Sequence, residues 1–379
     1  MNGQIKIAFL TAYLSTGGAE RVTINIASAF FRKKFNVQIV AATVVESALS
    51  DIPEGLKVFD LNNPKPLDSP SFYRNTKSIL KYIRQEKPAV VISTSDYLNF
   101  ALVTARFISK TKFKIIVSQQ VHVSAYLKEL PWLNRMFIQL IQKVVIRNAD
   151  KILGVSKGVV QDLIERYRVG AHHLGKFQAI YNPLYEEKIE VMGREKIDVS
   201  AFNVPGTRLI TVGRLVKQKD HDTLLHAFKL LLKKIPDAHL FIIGIGAEES
   251  NLKSTTLNLA ISDKVVFLGY THNPYAYVSK CDLFILSSLY EGFGNVIVEA
   301  LSTGTNVVST DCPSGPGEIL NNGEFGFLCP VSNPPMLCDA IIRALQNKIA
   351  APVLQKRAKD FSIESIAGQY TSLVFSLLK

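Results

Sequence analysis

The stretch Asp282–Glu318, DLFILSSLYEGFGNVIVEALSTGTNVVSTDCPSGPGE, constrains the fold of this chain more than any other. Asp282–Leu286 is a short uninterrupted apolar run of the kind that fills a parallel strand covered on both faces. The glycine turn Glu291–Gly294 follows, then an apolar-periodic helix from about Asn295 to Thr303, a short strand and a second glycine loop. Glycines between a strand and a helix let backbone N–H groups approach an anion, and the helix N-terminus adds a positive dipole end. Glu291 precedes the turn and Glu299 lies eight positions on, just over two helical turns away. Both carboxylates can face one site, beside an anion bound at the glycine turn. The alternative is that Glu291 caps the helix and Glu299 is solvated.

The same alternation runs along the rest of the chain and predicts an α/β protein with parallel sheets. A first series has strands at Ile5–Leu10, Val37–Ala41, Ala89–Ser93, Lys114–Ser118 and Lys151–Val155, with helices near Phe72–Gln85, Tyr97–Ile108 and Leu133–Arg147. A second begins with RLITVGRL after Thr207, then a helix Asp222–Lys234, the strand HLFIIGIG, a helix Glu248–Ala260 and the strand KVVFLG. Between them Asn182–Gly206 carries Asn-Pro, Val-Pro-Gly and mixed charge, a linker composition. The expected division is a first domain over 1–181, a linker over 182–206 and a second domain over 207–361. A last helix, Ser362–Leu378, folds back onto the first domain. A chain of 379 residues, 47% hydrophobic, suits two such cores.

No run of about 18 apolar residues is present, so no transmembrane helix is expected. The N-terminus leads into a strand without a signal-peptide pattern. The four cysteines form no Cys-x-x-Cys pair. A cytoplasmic, reducing setting is the expectation. Net charge is +12, unevenly spread: residues 1–180 hold 25 Lys and Arg against 12 Asp and Glu, residues 181–379 hold 19 against 20. A basic half suits nucleic acid, anionic lipid or a phosphate-bearing substrate. No zinc-finger spacing, basic-region heptad or ribonucleoprotein motif supports nucleic acid.

Ligands in open α/β sheets sit outside the carboxyl ends of the strands, so the loops there hold the remaining candidates. Gly17-Gly18 follows the first strand; it is a phosphate approach or an ordinary tight turn. Gly-x-Gly-x-x-Gly is absent, which disfavours a nicotinamide oxidoreductase. Arg214 and Lys219 follow Gly213 in VGRLVKQKD and offer a guanidinium fork and a point charge to phosphate oxygens; the alternative is two solvated cations. Asp220-His-Asp222 spells a metal-binding string but lies at a helix start, where Asp caps N–H groups. His122 follows the Lys114–Ser118 strand and is either functional or structural. Leu133–Arg147, with Trp132 ahead of it, is amphipathic, with Arg135, Lys143 and Arg147 at multiples of four. Tyr73–Arg84 carries a similar stripe at Arg74, Lys77, Lys81 and Arg84. Each suits a membrane interface, or packs on the sheet and solvates its cations.

Taken together, EGFG, Glu-x7-Glu, VGRLVKQK and PSGPGE resemble family 4 retaining glycosyltransferases. The resemblance is strongest over Leu209–Pro330 and leans towards bacterial enzymes that extend lipid-linked or surface glycans. It implies the GT-B fold, two doubly wound Rossmann-like domains with a cleft between them. It also implies that Gly18 abuts the donor diphosphate and that Arg214 and Lys219 neutralise it, with Gly213 beside them. Glu291 would lie near the donor sugar, Gly292, Phe293, Gly294, Asn295 and Val296 would supply backbone N–H groups, and Glu299 would bind ribose. His122 is the best match for the histidine near the sugar carbon under attack, although relatives often have Asp, Ser or Glu after that histidine and this chain has Gln-Gln-Val-His-Val. No metal or other cofactor is implied; the donor is expected to be UDP-linked. The expected partners are a lipid-linked glycan acceptor and an anionic membrane surface at the inner face of the plasma membrane, with no nucleic acid. The fold also hosts nucleotide-sugar 2-epimerases, and a non-catalytic nucleotide-sugar-binding subunit is a further alternative.

Overall fold

A computed structural model describes residues 5–14, 18–63, 71–197, 202 and 204–379. The chain divides into two compact units, one of residues 1–183 and 363–379 and one of residues 184–362.

The first unit alternates β1 (Lys6–Leu14), α1 (Gly18–Arg32), β2 (Asn36–Val44), β3 (Lys57–Asp60), α2 (Ser71–Glu86), β4 (Val90–Ser93), α3 (Asp96–Ser109) and β5 (Lys114–Gln119). It continues with α4 (Val123–Glu129), α5 (Trp132–Asn148), β6 (Lys151–Gly154), α6 (Lys157–Tyr167), α7 (Ala171–Leu174) and β7 (Phe177–Ala179). All seven strands are parallel, in the order β3-β2-β1-β4-β5-β6-β7, so the winding direction reverses between β1 and β4. The central strands are buried on both faces, as their unbroken apolar runs require.

The second unit holds α8 (Glu187–Gly193), β8 (Arg208–Val212), α9 (His221–Leu232), β9 (His239–Ile243), α10 (Glu249–Asn258), β10 (Val265–Gly269) and α11 (Pro274–Val278). After these come β11 (Leu283–Leu286), α12 (Asn295–Ser302), β12 (Asn306–Thr310), α13 (Pro316–Ile319), β13 (Phe327–Cys329), α14 (Pro334–Gln346) and α15 (Ala351–Lys359). Its sheet is parallel in the order β10-β9-β8-β11-β12-β13 and reverses between β8 and β11. Leu209, Leu240, Ile242, Leu283, Ile285 and Val308 from the strands meet Leu224, Phe228, Leu337 and Ile341 from α9 and α14, all fully buried.

The last helix, α16 (Ile363–Leu378), belongs to the first unit and packs on α1 through Ile363 and Ala367 against Ala29. Its wholly buried Tyr370 hydrogen-bonds Ser118 in β5; burial pushes the phenol up to about 12, and the Ser118 bond opposes that shift. The stretch read as a linker is not all linker, because α8 lies inside it. Its Met192 and Gly193 carbonyls accept from Asn273 and Ser279, and Glu195 beyond it accepts from Asn273 and Lys280. Charge and proline dominate that composition, but Ile189 and Gly193 are buried.

Candidate active site

The second unit reverses its strand order between β8 and β11, and ligands of open α/β sheets sit beyond the carboxyl ends at such a point. Lys219 follows β8 and Glu291 follows β11, so the topology alone delivers both to one place. Their side chains meet there: Lys219 Nζ lies 2.5 Å from Glu291 Oε1, at 14% and 9% exposure. Ser288 Oγ donates to the same oxygen at 2.6 Å.

Backbone and side-chain bonds hold the two loops in register. Gln218 Nε2 donates to the Tyr290 carbonyl, Leu289 N–H to the Gln218 carbonyl and Ser287 Oγ to the Lys219 carbonyl. Thr310 Oγ1 at the end of β12 donates to the Ser288 carbonyl at 2.6 Å. Lys219 closes a short 3-10 turn, and Asp220 after it takes a left-handed conformation at φ 44° as the cap of α9. Asp220 Oδ1 accepts from the Thr223 N–H and Oδ2 from the Thr223 hydroxyl. Asp222 faces His226 and Thr255 instead. The first Asp of the Asp-x-Asp string is therefore a helix cap.

The two glycine loops interlock. Gly294 caps α12 at φ +97°, which turns the chain from β11 into the helix. Gly315 of PSGPGE has φ +91°, and a Cβ there would lie 1.9 Å from the Phe293 carbonyl oxygen. The Glu291 N–H donates to the Pro313 carbonyl at 3.2 Å. Phe293 itself is buried and packs edge-on against Phe361 at 5.4 Å, so its side chain serves the core of the unit. A similar contact joins the β8 and β9 loops, where a Cβ on Gly244 would lie 1.8 Å from the Gly213 oxygen.

The other candidates fall as follows. Arg214 is exposed in the loop that carries Lys219, and the described residues give its side chain no partner. Glu299 is half-buried on α12, and Asn295 and Val296 form the half-buried first turn of that helix beside buried Gly292. Gly18 opens α1 in the first unit; Gly17 lies outside the described residues. His122, also in the first unit, caps α4: its Nδ1 accepts from the Ala125 N–H at 3.2 Å and lies 3.6 Å from Asp162. An accepting Nδ1 leaves Nε2 as the ring atom that carries the proton. Sequence reasoning missed Ser288, Gln218, Thr310 and Asp162, because none of them stands in a spacing pattern and each acts through a partner distant in sequence or set by a turn. Two titratable groups under the site are held neutral. Burial, with the Lys219 charge second, pushes His221 down to about 4. Burial, with Glu291 second, pushes the Cys312 thiol up.

This arrangement offers an anion site: an exposed guanidinium, an ammonium fixed by a carboxylate and a hydroxyl, and a helix N-terminus. The family profile described as Glycosyltransferase Family 4 matches residues 16–187, and that described as Glycosyl transferases group 1 matches residues 193–361. Between them they take in nearly the whole chain, which is a glycosyltransferase of the GT-B fold. A Campylobacter jejuni protein, N-acetylgalactosamine-N,N'-diacetylbacillosaminyl-diphospho-undecaprenol 4-alpha-N-acetylgalactosaminyltransferase, is 28% identical over 364 residues, 93% of this chain and 94% of that one. Sucrose-phosphate synthase from Thermosynechococcus elongatus superposes with a TM-score of 0.82 at 18% identity, over 99% of both chains. HepE from Anabaena, solved with UDP-glucose, superposes with a TM-score of 0.78 at 19% identity, over 98% of this chain and 100% of that one.

Proposed function

We propose that the chain is a retaining, metal-independent transferase that moves a hexose or N-acetylhexosamine from a UDP-sugar to a lipid-linked or cell-surface glycan. The observation that carries this reading is the placement of Lys219 by Glu291 and Ser288 at the β8/β11 reversal. Departure of a nucleoside diphosphate leaves negative charge on its phosphate oxygens. Arg214, Lys219 and the α12 N-terminus stabilise that charge where it develops. Glu291 and the backbone of Gly292–Val296 hold the donor sugar, and Glu299 holds the ribose. The roles that the resemblance gives to Gly18, Gly213 and His122 complete the assignment. Retention follows front-face attack: the acceptor oxygen bonds to the anomeric carbon as the phosphate oxygen leaves, and that oxygen takes the acceptor proton.

The sugar and acceptor classes rest on relatives. The Campylobacter protein's name places its acceptor on a diphospho-undecaprenol lipid, and HepE was solved with UDP-glucose. An acceptor of that kind puts the enzyme at the inner face of the plasma membrane as a peripheral protein. Among the described residues no helix is long and apolar enough to cross a membrane.

The test has two stages. Nucleotide sugars are screened for thermal stabilisation, where a ligand at about 100 times its Kd adds about 2.7 kcal/mol. The best donor is then supplied, radiolabelled, with a diphospholipid-linked glycan. Label in the lipid product with the anomeric configuration kept supports the reading. An epimerised sugar with no labelled lipid, or binding without turnover, overturns it.

A further inference from the structure

Helix α5 is apolar on two faces. Val145 and Ile146 are buried, with Ile138 and Ile141 half-buried on the same side of the helix. Trp132, Leu133, Met136, Phe137 and Leu140 are 60–65% exposed. Their spacing of i, i+1, i+4, i+5 and i+8 gathers them into one ridge on the opposite side. A helix apolar all round is ordinarily a covered one, since a surface helix turns polar residues outward. Large exposed apolar residues grouped in this way mark an interaction surface.

We propose that this ridge is a bilayer-docking surface, seated in the interface of an anionic membrane. Charge selects that occupant. Along the same line of the helix the ridge gives way to Lys143 and Arg147, both exposed, and α5 contains no Asp or Glu. Helix α2, joined to α5 through α3, adds exposed Arg74, Lys77, Lys81 and Arg84, with exposed Phe72 and Tyr73 at its start. Apolar side chains ending in a tryptophan and bordered by cations fit a headgroup–acyl boundary. A second copy docked through the same ridge would bring no Asp or Glu of α5 to meet Lys143 and Arg147, so the charge pattern fits an anionic surface better than self-association.

The structure also corrects the sequence reading of this helix. Arg135 is not part of the cationic border: its Nη2 approaches the Lys128 and Leu130 carbonyls at 3.3 and 3.4 Å, and its Nε is buried. It ties α5 to the end of α4.

This inference takes its biological sense from the membrane-bound acceptor proposed above, but its test uses neither donor nor acceptor. Trp132 is the single tryptophan of the chain, so intrinsic fluorescence reports on the ridge alone. The full-length protein is mixed with phosphatidylcholine vesicles, with and without phosphatidylglycerol. Expected are a blue shift of Trp132 emission on the anionic vesicles and its quenching by brominated acyl chains. Phe137→Ser/Leu140→Ser and, separately, Lys143→Glu/Arg147→Glu each weaken partitioning about tenfold or more. All four positions are exposed, and an unchanged melting temperature shows that the variants fold. Absence of the blue shift, binding without bromolipid quenching, or variants that partition like wild type would each overturn the proposal. So would a protein-concentration-dependent blue shift without lipid, which would assign the ridge to a second copy.

Discussion

Lys219 and Glu291 are 72 residues apart in sequence, yet their side chains meet at 2.5 Å where the strand order of the second unit's sheet reverses. The pair is largely shielded from water, and the Ser288 hydroxyl shares the contacted oxygen. Buried ion pairs stabilise little in net terms, but removing one partner leaves the other uncompensated at a cost of about 3–5 kcal/mol. The pair therefore fixes where the ammonium stands, at a cost that other packing offsets.

Separate variants distinguish structure from chemistry here. Lys219→Ala strands the Glu291 carboxylate, so the melting temperature falls by an amount equivalent to about 3 kcal/mol and transfer drops by at least roughly a hundredfold. Arg214→Ala touches no partner, so transfer drops on a similar scale while the melting curve stays in place. Thermal melts run beside initial rates decide the matter. A cold-stable Lys219→Ala with wild-type turnover, or an Arg214→Ala that only unfolds, is incompatible with these roles.

The interlocked glycine loops make a steeper prediction. Gly315→Ala puts a methyl group 1.9 Å from the Phe293 oxygen at a φ of +91°, so the GFG loop must shift. The expected loss is about 3 kcal/mol or more, together with donor binding. Gly323 has a comparable φ of +105° with nothing within 4 Å of its Cβ. Gly323→Ala therefore costs only the backbone strain, about 1–2 kcal/mol, and leaves binding intact. Denaturant melts and UDP titrations on the two variants test this, and similar behaviour of both would disprove the interlocking.

The central strands were readable because they are covered on both faces and so are written as unbroken apolar runs. β1, β4, β5, β8, β9 and β11 all carry that signature. Three strands left unread, β3, β7 and β13, are edge strands of three or four residues with half-exposed faces. Their pairing depends on a neighbour that the sequence does not display. The site follows the same division. Glycines needing positive φ, and charges at strand ends, announce themselves; Ser288 and Thr310 act through contacts made only once distant loops meet. Arg135 failed as a surface cation for that reason too, since the carbonyls that hold it belong to the end of the preceding helix.

His221 supplies a pH signature. It opens α9 fully buried, and burial and the Lys219 charge lower its folded pKa from 6.5 to about 4. The unfolded chain then binds the proton that the folded chain refuses. The stability contributed is fully present above pH 6.5 and is lost as pH falls from 6.5 towards 4, by up to about 3 kcal/mol. Stability measured by urea at steps across that window should fall more steeply for wild type than for His221→Leu. Parallel curves would show that His221 does not titrate this way.

The final prediction concerns metal. Asp220 directly follows Lys219, and the Asp-x-Asp string it begins is a familiar ligand pattern. Its two carboxylate oxygens accept from Thr223, and Ser332 Oγ lies 3.4 Å from Oδ2. Its φ of 44° is one that Asn tolerates and Ala does not. Capping then predicts that Asp220→Asn keeps both the helix start and the turn, with stability and turnover near wild type. Asp220→Ala should lose about 1–2 kcal/mol from the missing cap and the strained φ together. A metal role predicts instead that both variants lose turnover, because neither Asn nor Ala carries the charge that a divalent cation needs. With Arg214, Lys219 and the α12 N-terminus meeting the diphosphate, transfer should also survive excess EDTA. Turnover abolished by EDTA and restored by manganese or magnesium, with Asp220→Asn inactive, would make Asp220 a ligand and remove the cap as its main role.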